Sequence, residues 1–193
     1  MIRAFFAIEL SDDLRNEIRR LQDDLKKTGA DVKWVRPQSV HLTLKFLGQT
    51  AEDIIEPLGK AVSGAVAPYP ALTLKLGRTG VFPHRRRPRV TWVGLDGDLV
   101  ELAFLQRAVE EQAAGFGFAA EKRSFSPHLT LGRIRSGKNK DALLTALDRL
   151  EPEPLVLVAR EIILYKSDLK PSGAVYTPLK RLPLKENPME EES

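Results

Sequence analysis

Val40-His41-Leu42-Thr43-Leu44-Lys45-Phe46-Leu47-Gly48 and Ser126-Pro127-His128-Leu129-Thr130-Leu131-Gly132-Arg133 share the tetrapeptide His-Leu-Thr-Leu. Both copies read as β-strands, 41–47 stopped by Gly48 and 128–134 introduced by Ser126-Pro127. Successive side chains of a strand point to opposite faces, so His41 shares a face with Thr43 while Leu42 and Leu44 share the other. His128 and Thr130 stand in the same relation to Leu129 and Leu131. Each segment buries a leucine pair and presents an imidazole beside a hydroxyl. A repeated tetrapeptide alone is weak evidence. The chain has only three histidines, however, and two of them occupy the same place in it.

Outward from these strands, the chain alternates helices and strands without a strict βαβ order. Residues 1–8 form an apolar run too short for a signal-peptide core and read as a buried strand. Ser11 is placed as an N-cap with Asp12 and Asp13 in the first turn. Leu14, Ile18, Leu21 and Leu25 then form one helical stripe that Gly29 is placed to end. Residues 32–36 read as a short strand broken by Pro37, and Thr50 as the cap of a second helix with Ile54, Ile55, Leu58 and Val62 inward.

Residues 71–76 alternate cleanly and give a half-buried strand, followed by a loop rich in proline and arginine and a strand over 90–95. Helices are expected over 99–114 and 140–150, and strands over 155–159, 161–166 and 175–182. Short turns between strands predict antiparallel sheets, hence an α+β protein. Residues 1–184 are expected to be one two-lobed domain, its antiparallel sheets flanked by helices around a central cleft, and 185–193 a disordered acidic tail.

The bulk composition narrows the function. With 193 residues the chain can bury a real core. No apolar run reaches bilayer length, so no membrane partner is expected. There is no cysteine, which removes disulfides, thiolate metal sites and cysteine nucleophiles and suits a cytoplasmic setting. The net charge of +4 favours an anionic partner, as it also favours simple solubility.

Two histidines facing one space suit in-line displacement at phosphorus. Neutral and protonated imidazole coexist near neutral pH, so one ring can accept a proton while the other donates one. Thr43 and Thr130 can hydrogen-bond the non-bridging oxygens, where transition-state charge sits. No cofactor or metal is needed. No His-Glu-x-x-His or cysteine pair supports a metal site, and no Gly-x-Ser-x-Gly elbow supports a serine triad. Asp12-Asp13, Asp23-Asp24 and Glu110-Glu111 lie on helices and read as solvated faces.

The chain resembles the two-histidine phosphoesterases, and more narrowly the bacterial and archaeal RNA 2′,3′-cyclic phosphodiesterases, also called 2′-5′ RNA ligases. The resemblance runs from Arg3-Ala4-Phe5-Phe6-Ala7 to Leu182-Pro183-Leu184. Besides the two motifs it is carried by Trp34-Val35-Arg36-Pro37, Phe82-Pro83, Pro88-Arg89-Val90-Thr91-Trp92, and Ser167-Asp168-Leu169-Lys170-Pro171 with Gly173 and Tyr176. Gly132 departs from the family pattern, in which alanine is common. The resemblance implies hydrolysis of RNA 2′,3′-cyclic phosphate ends to 2′-phosphate ends, and in reverse 2′-5′ joining. It implies His41 as proton donor to the leaving oxygen and His128 as acceptor from water, roles that spacing cannot assign.

RNA ends, such as tRNA halves, are the partner so implied, with a monomer expected. Arg85 and Arg86, in the stretch Arg85-Arg86-Arg87-Pro88-Arg89, can grip phosphates or simply be solvated. His84 lacks a threonine partner and is not counted as catalytic. Arg133 can reach the phosphate or its nucleotide and Phe46 can stack on a base, but strict alternation puts both with the leucines. Trp34 and Trp92 read as core or lobe-edge aromatics. A non-catalytic RNA-end binding module stays open, as does a phosphodiesterase for other cyclic or 2′-5′-linked nucleotides.

Overall fold

A computed structural model describes residues 1–170 and 173–186. Pro171 and residues 187–193 of the expected tail lie outside the described residues. The first sheet contains β1 (Ile2–Glu9) and β3 (His41–Thr50), with β8 (Glu161–Lys170) and β9 (Gly173–Pro183) in the order β3-β1-β8-β9. The second contains β2 (Val32–Trp34), β4 (Leu72–Phe82), β5 (Val90–Gly97), β6 (His128–Ile134) and β7 (Val156–Ala159) in the order β2-β6-β5-β4-β7. All these pairings are antiparallel, so the α+β expectation holds.

The helices are α1 (Asp12–Lys26), α2 (Glu52–Val66), α3 (Leu99–Gly115) and α4 (Lys140–Arg149). Ser11 does cap α1, its hydroxyl accepting from the Leu14 N–H at 3.4 Å. Leu14, Ile18, Leu21 and Leu25 are all buried. They join the leucines of both motifs, Leu42, Leu44, Leu129 and Leu131, in one core shared by the two sheets. Strands β3 and β6 pack against each other, which brings the motifs together. α1 leaves the first sheet yet touches α4, which also packs on β4 of the second. α3 leaves the second sheet and packs on β3 of the first.

Several element ends differ from expectation. Gly48 does not stop β3. It takes a φ of +72°, open to glycine, and the strand continues to Thr50. Thr50 is therefore buried strand rather than helix cap, and Ala51 precedes α2 without a side-chain cap. The strand expected over 32–36 ends at Trp34, because Pro37 opens a 3₁₀ turn over Pro37–Ser39. β4 extends past 76 to Phe82, and β8 past 166 to Lys170. Lys185, placed in the tail, donates its N–H to the Tyr69 carbonyl at 2.7 Å. Among the described residues no helix is long and apolar enough to cross a membrane.

The largest departure from simple alternation lies in the motif strands themselves. Against Phe6 and Ala7 of β1, the partners on β3 step from Lys45 to Thr43, so Leu44 is an extra residue, a β-bulge. Against Thr91 and Trp92 of β5, the partners on β6 step from Gly132 to Thr130, and Leu131 is the extra one. Each bulge reverses the alternation after it. In both strands the first seven residues run half-buried, buried, half-buried, buried, buried, exposed, buried.

Candidate active site

The bulges correct the expectation for Phe46 and Arg133. They leave the leucine face and stand exposed on the side of His41 and His128. Phe46 is 64% exposed and pairs in register with Phe5, its ring 5.7 Å away. Arg133 is near enough to Tyr176 of the other sheet for its charge to oppose the upward shift that burial gives the tyrosine hydroxyl.

Both histidines are held the same way. His41 Nδ1 lies 2.9 Å from the Ser39 carbonyl, and His128 Nδ1 lies 2.7 Å from the Ser126 carbonyl. A carbonyl only accepts, so each Nδ1 carries a proton and donates it. Among the described residues neither Nε2 has a partner, which leaves that nitrogen for chemistry. The rings are also fixed by aromatic neighbours. His41 stacks on Phe5 at 4.7 Å and meets Tyr176 edge-on at 5.1 Å. His128 meets Phe82 edge-on at 4.9 Å, and Phe82 packs on Trp92 at 5.0 Å.

Trp92 lies across Gly80, where a Cβ would come within 2.4 Å of the indole. A glycine there lets the ring lie against the sheet beside His128. Gly132 has a similar reason. A Cβ would approach Val32 Cγ1 to 2.5 Å and the Lys33 carbonyl to 3.3 Å. A glycine there lets β2 and β6 come close together. Burial in the aromatic cage pushes the His41 imidazole down to about 4, only partly offset by its bond to the Ser39 carbonyl. His41 is therefore neutral at pH 7. Thr43 and Thr130 are half-buried on the faces of their histidines.

Arg85 does not stand free. Its guanidinium donates to both carboxylate oxygens of Asp148, at 2.8 and 2.7 Å. Arg86 is exposed in the same loop. The third histidine, His84, accepts from the Arg87 N–H at 3.3 Å through Nδ1. Glu110 is not a solvated face, as its helix position suggested. It accepts from the buried Lys45 ammonium, which also donates to the Ala119 carbonyl at 2.7 Å. Phe5, Phe82 and Tyr165 belong to the site as well, and nothing local in the sequence marks their rings as neighbours of a histidine or of its cage. Among the described residues no cluster of three or more histidines, cysteines or carboxylates could hold a metal ion.

The family model for LigT-like phosphoesterases matches residues 8–92 and 94–176. The chain belongs to that family. It is 34% identical over 177 residues to an RNA 2′,3′-cyclic phosphodiesterase of Methanothermobacter thermautotrophicus, covering 91% of this chain and 95% of that one. Among solved structures it is similar to apo E. coli LigT, at 28% identity and a TM-score of 0.76, over 95% of this chain and 98% of that one. It is equally similar to E. coli LigT complexed with 3′-AMP, at 29% identity, a TM-score of 0.75 and the same coverage. Family and relatives together support a cyclic phosphodiesterase. In this LigT-like chain both motif histidines lie within the matched residues.

Proposed function

We propose that the protein hydrolyses RNA 2′,3′-cyclic phosphate ends to 2′-phosphate ends, without a metal or cofactor, using His41 and His128. The reading is carried by one observation: two histidines on twin bulged strands, each clamped at Nδ1 by a carbonyl two residues upstream, each with no partner for its Nε2 among the described residues. The names of the relatives supply the RNA end. Water attacks phosphorus while His128 Nε2 takes its proton. The bond from phosphorus to the 3′ oxygen breaks in line, and His41 Nε2 protonates that oxygen.

The products are a 2′-phosphomonoester and a 3′-hydroxyl. With a 5′-hydroxyl in place of water, the same path joins RNA ends by a 2′-5′ bond. Thr43 and Thr130 hydrogen-bond the non-bridging oxygens. The anionic phosphate supplies the counter-charge that lets buried His41 hold the proton it donates. Phe46 stacks on a base, Arg133 meets phosphate, and Arg86 extends the cationic surface with Arg85 when Asp148 releases it. The protein acts as a cytoplasmic monomer.

Incubation with an oligonucleotide ending in a 2′,3′-cyclic phosphate tests this. The wild type should yield only the 2′-phosphate end by phosphorus NMR, with activity retained in EDTA. His41→Ala and His128→Ala should each abolish turnover. Full turnover in either variant would defeat the reading, and salt-sensitive binding without product would point to a binding module instead.

A further inference from the structure

The bulges that turn Phe46 and Arg133 toward the histidines leave two backbone carbonyls, Leu44 and Leu131, at irregular points of their ladders. Buried carbonyls need donors. Each of these receives one from a glutamine on a helix. Gln22 of α1 donates through Nε2 to the Leu131 carbonyl at 2.9 Å and to the Val35 carbonyl at 2.7 Å. Gln106 of α3 donates through Nε2 to the Leu44 carbonyl at 3.3 Å. The Leu131 carbonyl also accepts from the Val35 N–H at 3.0 Å, so Gln22 closes a three-way junction of α1, the chain after β2, and the bulge of β6.

The arrangement is crossed. α1 follows β1 of the first sheet, yet Gln22 holds the bulge in the second sheet. α3 follows β5 of the second sheet, yet Gln106 holds the bulge in the first. Gln22 is 1% exposed on a helix whose other buried positions are mostly apolar. An amide there is costly unless its hydrogen bonds are needed. Its two acceptors lie in the backbone that decides where Arg133 points. Gln106 also donates to Glu110 at 3.4 Å, which ties it to the carboxylate that pairs with Lys45, the residue after the Leu44 bulge.

We infer that Gln22 and Gln106 are positioning residues, each carried by the helix that follows one sheet and each fixing the motif bulge of the other: Gln22 sets Arg133, and Gln106 sets Phe46. The cleft residues that grip the nucleotide are thereby registered across the two lobes. The histidines themselves are held by Ser39 and Ser126, upstream of the bulges, and are not the targets of this clamp. The inference rests on the proposed RNA-end activity for its kinetic readout and on the fold alone for its second readout.

Gln22→Met keeps the side chain's length and removes the donor. On a cyclic-phosphate oligonucleotide it should raise KM roughly fivefold, the scale of the lost bond to the Leu131 carbonyl, with a smaller fall in kcat. The double variant with Arg133→Ala should be no worse than Arg133→Ala alone, while that with Phe46→Ala should be additive. Gln106→Met should show the opposite pattern, coupled to Phe46 and additive with Arg133, with a smaller effect for its longer bond. Equal coupling of each glutamine to both residues, or loss of thermal stability with no change in KM, would overturn the proposal.

Amide hydrogen exchange supplies the independent readout. Gln22→Met should speed exchange at Leu131 to Arg133 and spare Leu44 to Phe46, and Gln106→Met the reverse. Loosening confined to the helix that bears the substitution would also overturn it. If Gln22→Met fails to fold, the half-buried Gln106 decides the question by the same two measurements. Absent turnover in the wild type would count against the activity alone, and the exchange pattern would still decide the clamp.

Discussion

Phe46 and Arg133 occupy equivalent places on two strands of unlike context, one at the open edge of a sheet and one inside another. Each follows its bulge by two residues and is turned by it to the histidine side. Their chemistry differs, a ring in one lobe and a guanidinium in the other. The division suits a nucleotide with a flat base and an anionic backbone. Phe46→Ala should raise KM for RNA ends by roughly 5- to 100-fold, the scale of one base stack, and Phe46→Tyr should restore it. Arg133→Ala should raise KM and flatten its dependence on salt. Steady-state kinetics at several salt concentrations would check both. An unchanged KM in Phe46→Ala would remove the ring from the binding site.

The state of His41 gives a pH signature. Burial pushes its imidazole down to about 4. If His41 must be protonated to act, kcat/KM follows the free enzyme and falls as pH rises above that value. A phosphate bound beside His41, as proposed, would raise the imidazole again, so kcat should hold to higher pH before it falls. Profiles of both constants between pH 4 and 9 would show the basic limb of kcat displaced upward. Coincident limbs would assign the donor elsewhere.

The same burial links folding to pH. The unfolded imidazole takes a proton near 6.5, whereas the folded one resists until about 4. Between these values the unfolded chain binds more protons, so stability must fall as pH drops through that window. At roughly 1.4 kcal/mol per pH unit the loss is on the order of 3–4 kcal/mol at most. Urea unfolding at pH 7.5, 5.5 and 4.5 should show it, and His41→Gln should remove that part of the slope.

These expectations show where local pattern stops being informative. The histidine–threonine pairs could be read because each lies before its bulge, where alternation still holds. Phe46 and Arg133 lie after it. A bulge depends on the register of a partner strand, and nothing within His-Leu-Thr-Leu-Lys-Phe or His-Leu-Thr-Leu-Gly-Arg announces one. Gly48 misled in a similar way, since a glycine at positive φ can bend a strand as well as end it. The aromatic cage of His41 joins β1, β8 and β9, whose rings are far apart in sequence. Helix α1 was plain from its cap and stripe because both are local.

Lys45 and Glu110 form a pair whose side chains are only 6% and 17% exposed. Glu110 also accepts from the Glu121 N–H at 2.9 Å, so the pair pins the segment that leads to His128. Lys45→Ala leaves a buried carboxylate without its cation and should cost roughly 3–5 kcal/mol. The double variant Lys45→Met, Glu110→Leu should recover most of that loss in urea unfolding. A cost below 1 kcal/mol for Lys45→Ala would mean that solvent reaches the pair.

Gly132→Ala drives a methyl into Val32 and toward the Lys33 carbonyl. It should destabilise by roughly 1–3 kcal/mol, as overpacking does. Val32→Ala in the same chain should relieve most of this. Thermal melts of the two single variants and the double would decide it, and additive losses would rule out the contact as the cause.

The strand order of the first sheet has a bearing on synthesis. β1 and β3 leave the ribosome early, but β8, which completes the pairing of β1, and β9, which brings Tyr176 to His41, follow the whole of β4 to β7. The second sheet can close while the first still waits for half its strands. A nascent chain halted after β7 would thus carry both histidines with only one of them housed, and the two-handed cleft comes into being only as the closing hairpin docks.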